Sequence, residues 1–144
     1  MSDSSKTDRP QYRKPLPKLT PLNEPYWTYA RKHELRFMRC LACGRWIYPI
    51  APHCQNCWSE SHEWAPASGK GMVTSWVTYH KAFEESFRDD LPYTVIQVEL
   101  EEGIRLKSNF IDPGTKPVYK MKVKVAFDDI TPEFTLVKFV PDFQ

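Results

Sequence analysis

Residues Arg39–Ser59 read RCLACGRWIYPIAPHCQNCWS. The stretch holds every cysteine of the chain, Cys40, Cys43, Cys54 and Cys57, as two C-x-x-C pairs with ten residues between them. A C-x-x-C pair on a tight turn puts two sulfurs on the same side of the chain and lets the turn's N–H groups point at the thiolates. Gly44 follows the first pair and can take the positive φ such a turn needs, whereas Trp58 stands at the same place after the second. Ten residues are enough for a short hairpin that brings the two knuckles face to face. Four thiolates, each about 2.3 Å from a shared ion, are the ligand set of a closed structural zinc site. Iron in a rubredoxin-like site uses the same ligands, so the spacing leaves iron open while zinc is the commoner occupant.

Other readings of the cysteines are weaker. No apolar run approaches the roughly 20 residues that span a bilayer. The opening MSDSSKTDRP has no apolar h-region of a secretory signal. The expected compartment is therefore the cytoplasm, where structural disulfides are rare. A thioredoxin-like centre needs a single C-x-x-C in a βαβ setting, and none is visible. If all four thiolates hold metal, no cysteine remains as a nucleophile and no coordination position stays open for substrate or water.

The remaining chemistry is thin. His33, His53, His62 and His80 are scattered, and His53 next to Cys54 is not needed by a shell that four sulfurs fill. There is no G-x-S-x-G, Walker glycine loop or G-x-G-x-x-G. Glu84, Glu85, Asp89 and Asp90 cluster in a segment that reads as a solvated loop, and alternating Lys120, Lys122 and Lys124 read as the outer face of a strand. The net charge of +2 hides an asymmetry: residues 1–59 carry ten Lys/Arg against four Asp/Glu, residues 60–144 ten against fourteen. Such polarity suits phosphates or an acidic partner on the basic side, although solvated surface charge is the ordinary explanation.

Thirteen prolines against five glycines argue against long helices. Residues 1–23, dotted with prolines and short of aliphatics, predict an extended or disordered arm. In NEPYWTYARKHELRFMRC, Asn23 is placed to cap a helix over 24–36, with Tyr26, Trp27 and Ala30 near one face. A four-cysteine ribbon is expected over 37–66, with Trp46, Tyr48 and Trp64 packing between it and a C-terminal barrel. From residue 67 to 144 the pattern has period two. In GMVTSWVTYH, Met72, Thr74, Trp76 and Thr78 are expected to point one way, and Val73, Ser75, Val77 and Tyr79 the other. YTVIQVELEEG, IRLKSNFID, YKMKVKVAF and FTLVKFV supply four more strands. The fold class predicted is mostly β: an N-terminal helix, a rubredoxin-like four-cysteine ribbon, then a small five-stranded barrel.

These motifs, in this order, look like a known family. RFMRCLACGRWIYPIAPHCQNCWS, EWAPASGKGMVTSWVTYHK and PYTVIQVELEEGIRLKSNFID resemble the rubredoxin-like zinc ribbons fused to an OB-fold that accompany acyl-CoA enzymes. The match spans about residues 24–140, with Trp58 for a glycine and Gln55 for a frequent proline as departures. The resemblance implies a non-catalytic accessory subunit that docks on a thiolase-, aldolase- or hydratase-type partner, which supplies the nucleophile and the acid–base groups. It also implies that Arg36, Arg39, Arg45, Trp46 and Tyr48 help shape a CoA or acyl-CoA entrance or contact that partner. One member of the family accompanies a thiolase acting on benzoylsuccinyl-CoA in anaerobic toluene breakdown, which makes an aromatic ketoacyl-CoA the particular substrate suggested. Two other readings compete: a stand-alone acyl-CoA carrier, and a single-strand nucleic-acid binder of the kind OB barrels with zinc ribbons provide. The acidic barrel half counts against the second, so neither nucleic acid nor membrane is expected as a partner.

Overall fold

The computed structural model describes residues 14–142 except 112, 113 and 115. Of the expected arm, residues 1–13 lie outside the described residues. From residue 14 to the turn before the helix the chain forms neither helix nor strand. It runs beside the barrel, where Lys14 pairs with Asp90 at 2.7 Å.

Helix α1 spans Glu24–Arg31, with a proline in its first turn, where a missing N–H costs nothing. Asn23 occupies the N-cap position without capping the helix through its side chain. That side chain is engaged backwards: its Oδ1 accepts from the Thr20 N–H at 2.8 Å and its Nδ2 donates to the Lys18 carbonyl at 3.1 Å. The helix stops before residue 36 because His33 turns left-handed, with φ +62°. The His33 N–H donates to the Ala30 carbonyl and the Glu34 N–H to the Tyr29 carbonyl, which is a Schellman closure with histidine in the glycine position. Tyr26, Trp27 and Ala30 do face inward: Ala30 is buried, Trp27 meets Phe134 edge-on at 5.7 Å and Tyr26 lies 6.0 Å from Phe37.

Strands β1 (Arg36–Cys40), β2 (Trp46–Ile47) and β3 (His62–Pro66) form a sheet in the order β2-β1-β3. Alternation along β1 serves two cores at once. Phe37 joins the barrel's apolar cluster, while Met38 and Cys40 join Ile47 and Cys54 in a small ribbon cluster. Trp46 packs against the barrel cluster and Trp64 against the ribbon cluster. Trp64 thus departs from the expected place between the two, because it lies opposite Met38 in the sheet.

The barrel consists of β4 (Lys70–Tyr79), β5 (Tyr93–Leu100), β6 (Arg105–Phe110), β7 (Lys122–Asp129) and β8 (Thr135–Pro141), closed in the order β4-β5-β6-β8-β7. A 3₁₀ turn, Glu85–Asp90, lies between β4 and β5. Every pairing is antiparallel except β6 with β8, and closure of this kind leaves few strand edges open. Val73, Ile96, Val98, Leu100, Val123 and Phe139 are sealed from solvent. Burying a side chain of this size stabilises the fold by about 1.5–3 kcal/mol. The glycine that opens the barrel is required by proximity, since a Cβ on Gly71 would lie 2.5 Å from the Glu99 carbonyl oxygen.

One strand departs from its pattern. β4 carries a bulge between Val73 and Ser75, so Val73 faces Val98, Ser75 faces Gln97 and Trp76 faces Ile96. The extra residue, Thr74, turns its hydroxyl to the Gln97 carbonyl at 3.2 Å. A bulge reverses the side-chain alternation beyond it, which puts Trp76 on the same face as Val73 rather than opposite it.

Candidate metal centre and the groove beside it

The two C-x-x-C turns have the same backbone. In the first, the Gly44 N–H donates to the Cys40 carbonyl at 3.0 Å and the Cys40 N–H to the Arg45 carbonyl at 2.8 Å. In the second, the Trp58 N–H donates to the Cys54 carbonyl at 2.8 Å and the Cys54 N–H to the Ser59 carbonyl at 2.9 Å. Gly44 and Trp58 correspond, and both are left-handed, at φ +81° and +65°. A tryptophan therefore adopts the glycine conformation, at a cost of about 1–2 kcal/mol. Its ring is 73% exposed and meets His53 edge-on at 6.0 Å.

The sulfurs of Cys40, Cys43, Cys54 and Cys57 all lie within 4.8 Å of one another. The Cys40–Cys57 and Cys43–Cys54 separations are 3.5 and 3.6 Å. Four ligands at about 2.3 Å in a tetrahedron stand about 3.8 Å apart, so the cluster fits one tetrahedral ion. The backbone helps to hold negative charge here. The Arg45 N–H leads the groups that draw the Cys43 thiol down to about 6, and the Cys43 N–H leads those that lower Cys40. At Cys57 the Ser59 N–H also pulls downward, but the neighbouring Cys40, desolvation and the other sulfurs outweigh it and push that thiol up to about 12. Metal binding must therefore release protons, because thiolates are the ligands. His53 is not among the four converging residues.

Beside the first knuckle a groove of about 450 Å³ separates the ribbon from the β5–β6 turn, lined by Arg45, Trp46, Tyr48, Glu102, Ile104 and Arg105. Three residues expected from the sequence thus come together here. Arg45 is held through its backbone, which bonds to both cysteines of the first knuckle. Trp46 is half-buried against the barrel. Tyr48 meets Phe37 edge-on at 5.4 Å, and burial raises its phenol above the ordinary value. Arg39 stands next to the group: its guanidinium lies 5.4 Å from the Trp46 ring centre, and its Nε donates to the Gly44 carbonyl at 3.0 Å. Arg36 does not join them. Its guanidinium sits over Tyr29 at 4.6 Å, bonded to Glu34 and to the Trp64 carbonyl.

Sequence reasoning passes over Arg105 and Glu102, which the β5–β6 turn brings to the groove. The signal is the run EEGIR, in which Gly103, at φ +92°, makes the turn. Glu102 fixes the approach to β4 by accepting from the Ser68 N–H at 2.6 Å. Arg105 is 67% exposed and paired with Glu99 at 2.9 Å.

A four-thiolate knuckle pair stacked on a closed five-stranded barrel defines a zinc-ribbon/OB-fold protein whose cysteines are all committed to one another. Two family profiles match in sequence order: the ChsH2 rubredoxin-like zinc ribbon domain over residues 27–63 and the ChsH2 C-terminal OB-fold domain over residues 64–128. The chain belongs to the ChsH2-type family of zinc-ribbon and OB-fold proteins. It is 31% identical over 134 residues to a probable enoyl-CoA hydratase alpha subunit of Thermomonospora curvata, covering 92% of this chain but 41% of that protein. A DUF35 domain-containing scaffold protein of Methanocaldococcus jannaschii is 33% identical, with 70% of this chain and 73% of the relative covered. The benzoylsuccinyl-CoA thiolase subunit BbsA of Thauera aromatica is 28% identical over 54% of this chain and 51% of its own. Among solved structures, the Ltp2-ChsH2(DUF35) aldolase matches with a TM-score of 0.80 and 31% identity, over 88% of this chain and 98% of the matched one. The chain thus spans less than half the length of the hydratase subunit it matches. No helix among the described residues is long and apolar enough to cross a membrane.

Proposed function

We propose that this chain is the non-catalytic, zinc-holding subunit of a thiolase- or aldolase-type acyl-CoA complex, and that its ribbon–barrel groove forms part of the CoA entrance. The observation behind this reading is the pairing of two features. All four cysteines converge on one site, so none serves as a nucleophile, while the adjacent groove offers chemistry suited to a nucleotide thioester. Arg45 and Arg105 supply cations for phosphates, and Trp46 and Tyr48 supply an apolar wall for the pantetheine arm or an adenine. Relatives and a solved structure named for hydratase, thiolase and aldolase assemblies, together with a relative named a scaffold, support the partner class. The likeness to a thiolase subunit extends the reading to an aromatic ketoacyl-CoA such as benzoylsuccinyl-CoA as the partner's substrate. Zinc, rather than iron, is the metal.

The test is steady-state kinetics of the reconstituted complex with Arg45→Ala and Arg105→Ala together. Losing charge-assisted contacts worth about 1.5–3 kcal/mol raises KM for the CoA thioester at least about tenfold with kcat little changed. An unchanged KM contradicts the placement of the CoA entrance at this groove.

A further inference from the structure

The distal half of β4 is an open strand edge. β4 pairs with β7 only from Lys70 to Met72, and Val73 extends that contact through bonds to Lys120 and Met121. From Ser75 to Tyr79 the strand pairs with β5 on one side, and among the described residues no backbone partner occupies the other. The edge reads Ser75-Trp76-Val77-Thr78-Tyr79, without charge, proline or glycine, and Trp76 and Val77 are 45% and 49% exposed. Natural sheets usually guard such an edge with lysine, proline or a cover. Here the bulge lies at the inner end, and the five residues beyond it pair with β5 in unbroken register.

We propose that this edge joins the same edge of a second copy, antiparallel, about a two-fold axis at Val77. A two-fold perpendicular to a sheet pairs residues whose numbers sum to an even value, because opposed residues share a face. Ser75 then faces the second copy's Tyr79, and Lys81 reaches the level of its Val73. At that point the sheet position is already taken by residues 120–121, so the incoming chain must leave the sheet. It does leave it: the strand ends at Tyr79, bends follow at 81, 83 and 84, and Phe83 folds back to meet the Tyr79 ring edge-on at 6.3 Å.

The departing tip meets complementary chemistry. It carries Phe83, 79% exposed, followed by the exposed Glu84 and by Glu85, which pairs with Arg88 of its own copy at 2.9 Å. The region it reaches on the other copy carries Val118 and Tyr119, 55% and 63% exposed, and then Lys120 and Lys122. Neither lysine is in an ion pair among the described residues, although Glu101 and Asp142 line the same cleft. The two-fold makes the contact twice, so one uncharged strand pair is flanked by two matching aromatic and acid–lysine contacts. Lining the uncharged residues 75–79 against themselves opposes no like charges within the strand pair, and Lys81, which comes level with the second copy's Lys120, is exposed and free to turn into solvent; a second copy therefore fits better here than an arbitrary strand. The pairing leaves the ribbon–barrel groove out of the contact and stands independently of the CoA reading.

Sedimentation equilibrium of the full metal-loaded chain tests the pairing. The expected species is a dimer of about twice the 16.9 kDa chain mass. Val77→Lys places charge in the middle of the edge and weakens dimerisation at least about a hundredfold, with far-UV circular dichroism and metal content unchanged. If that variant misfolds, a charge exchange away from the strand decides: Glu84→Lys with Glu85→Lys weakens the dimer about tenfold or more, and adding Lys120→Glu with Lys122→Glu restores it. Hydrogen exchange adds a direct readout, with amides of 75–79 protected in the dimer. A monomer at all concentrations overturns the proposal, as does a dimer indifferent to Val77→Lys and to the charge exchange. Protection of 75–79 that arises only with an acyl-CoA enzyme overturns it too, in favour of a strand from that enzyme.

Discussion

The ribbon and the barrel reach rigidity by different means. The barrel rests on a contiguous apolar cluster that includes Val73, Ile96, Val98, Val123 and Phe139, all sealed from solvent. Apart from Phe37, which packs into the barrel, the ribbon buries only Met38, Cys40, Ile47 and Cys54, and two of those belong to the four-cysteine site. A core of that size does not offset the conformational entropy of a loop-rich segment, so metal–thiolate bonds must supply the difference. The contrast gives a metal at the four cysteines a structural task. An ion held there would fix the backbone of Arg45, which bonds to Cys40 and Cys43, and through it one wall of the groove.

Removing the metal should separate the two halves most visibly. Structural zinc in small ribbons is bound with an apparent free energy of about 10–16 kcal/mol. Chelation, or Cys43→Ser, should therefore unfold residues 38–66 while the barrel keeps a cooperative thermal transition; residue-resolved hydrogen exchange distinguishes the two. Phe37 lies across the divide, because it belongs to a ribbon strand but packs in the barrel core. Phe37→Ala should cost about 3–5 kcal/mol in global denaturant unfolding, more than its place in the ribbon would suggest. Trp58→Gly should act on the ribbon alone. Relief of the left-handed tryptophan raises metal affinity in a chelator competition by about fivefold to thirtyfold, equivalent to about 1–2 kcal/mol.

The smallest effect is expected where helix and barrel meet. His33 stacks on Phe127 at 5.0 Å and its Nε2 lies 3.0 Å from the Asp129 carboxylate. The Thr135 hydroxyl, first, and His33, second, hold the Asp129 carboxyl below its ordinary value of 3.8. A carboxylate lowered in the folded state contributes stability that is present above its unfolded pKa and is lost as pH falls through the folded one. Stability should thus decline on acidification below about pH 3.8, and Asp129→Asn should flatten that limb of the pH–stability curve.

The metal ligands are legible in the sequence because the ribbon is local: two short turns, one spacing and one chemistry. The barrel is legible wherever alternation is unbroken, as in β5, where Ile96, Val98 and Leu100 are buried on one face. Alternation fails at Thr74, since a bulge changes sidedness without leaving a mark in composition. The end of α1 is hidden because histidine takes the left-handed turn that glycine usually marks. Arg105 is hidden for a different reason: the groove exists only after the β5–β6 turn is brought against the ribbon, and no local pattern records that approach.

If the reaction lies on another chain, this one serves to complete the CoA site. The decisive experiment compares acyl-CoA turnover by the thiolase- or aldolase-type partner alone, by this chain alone, and by the two together. The expected result is no turnover by this chain, weak or absent turnover by the partner, and full activity on recombination only when the four cysteines hold metal. Turnover by this chain alone, or full activity of the partner without it, would overturn the assignment of a non-catalytic subunit.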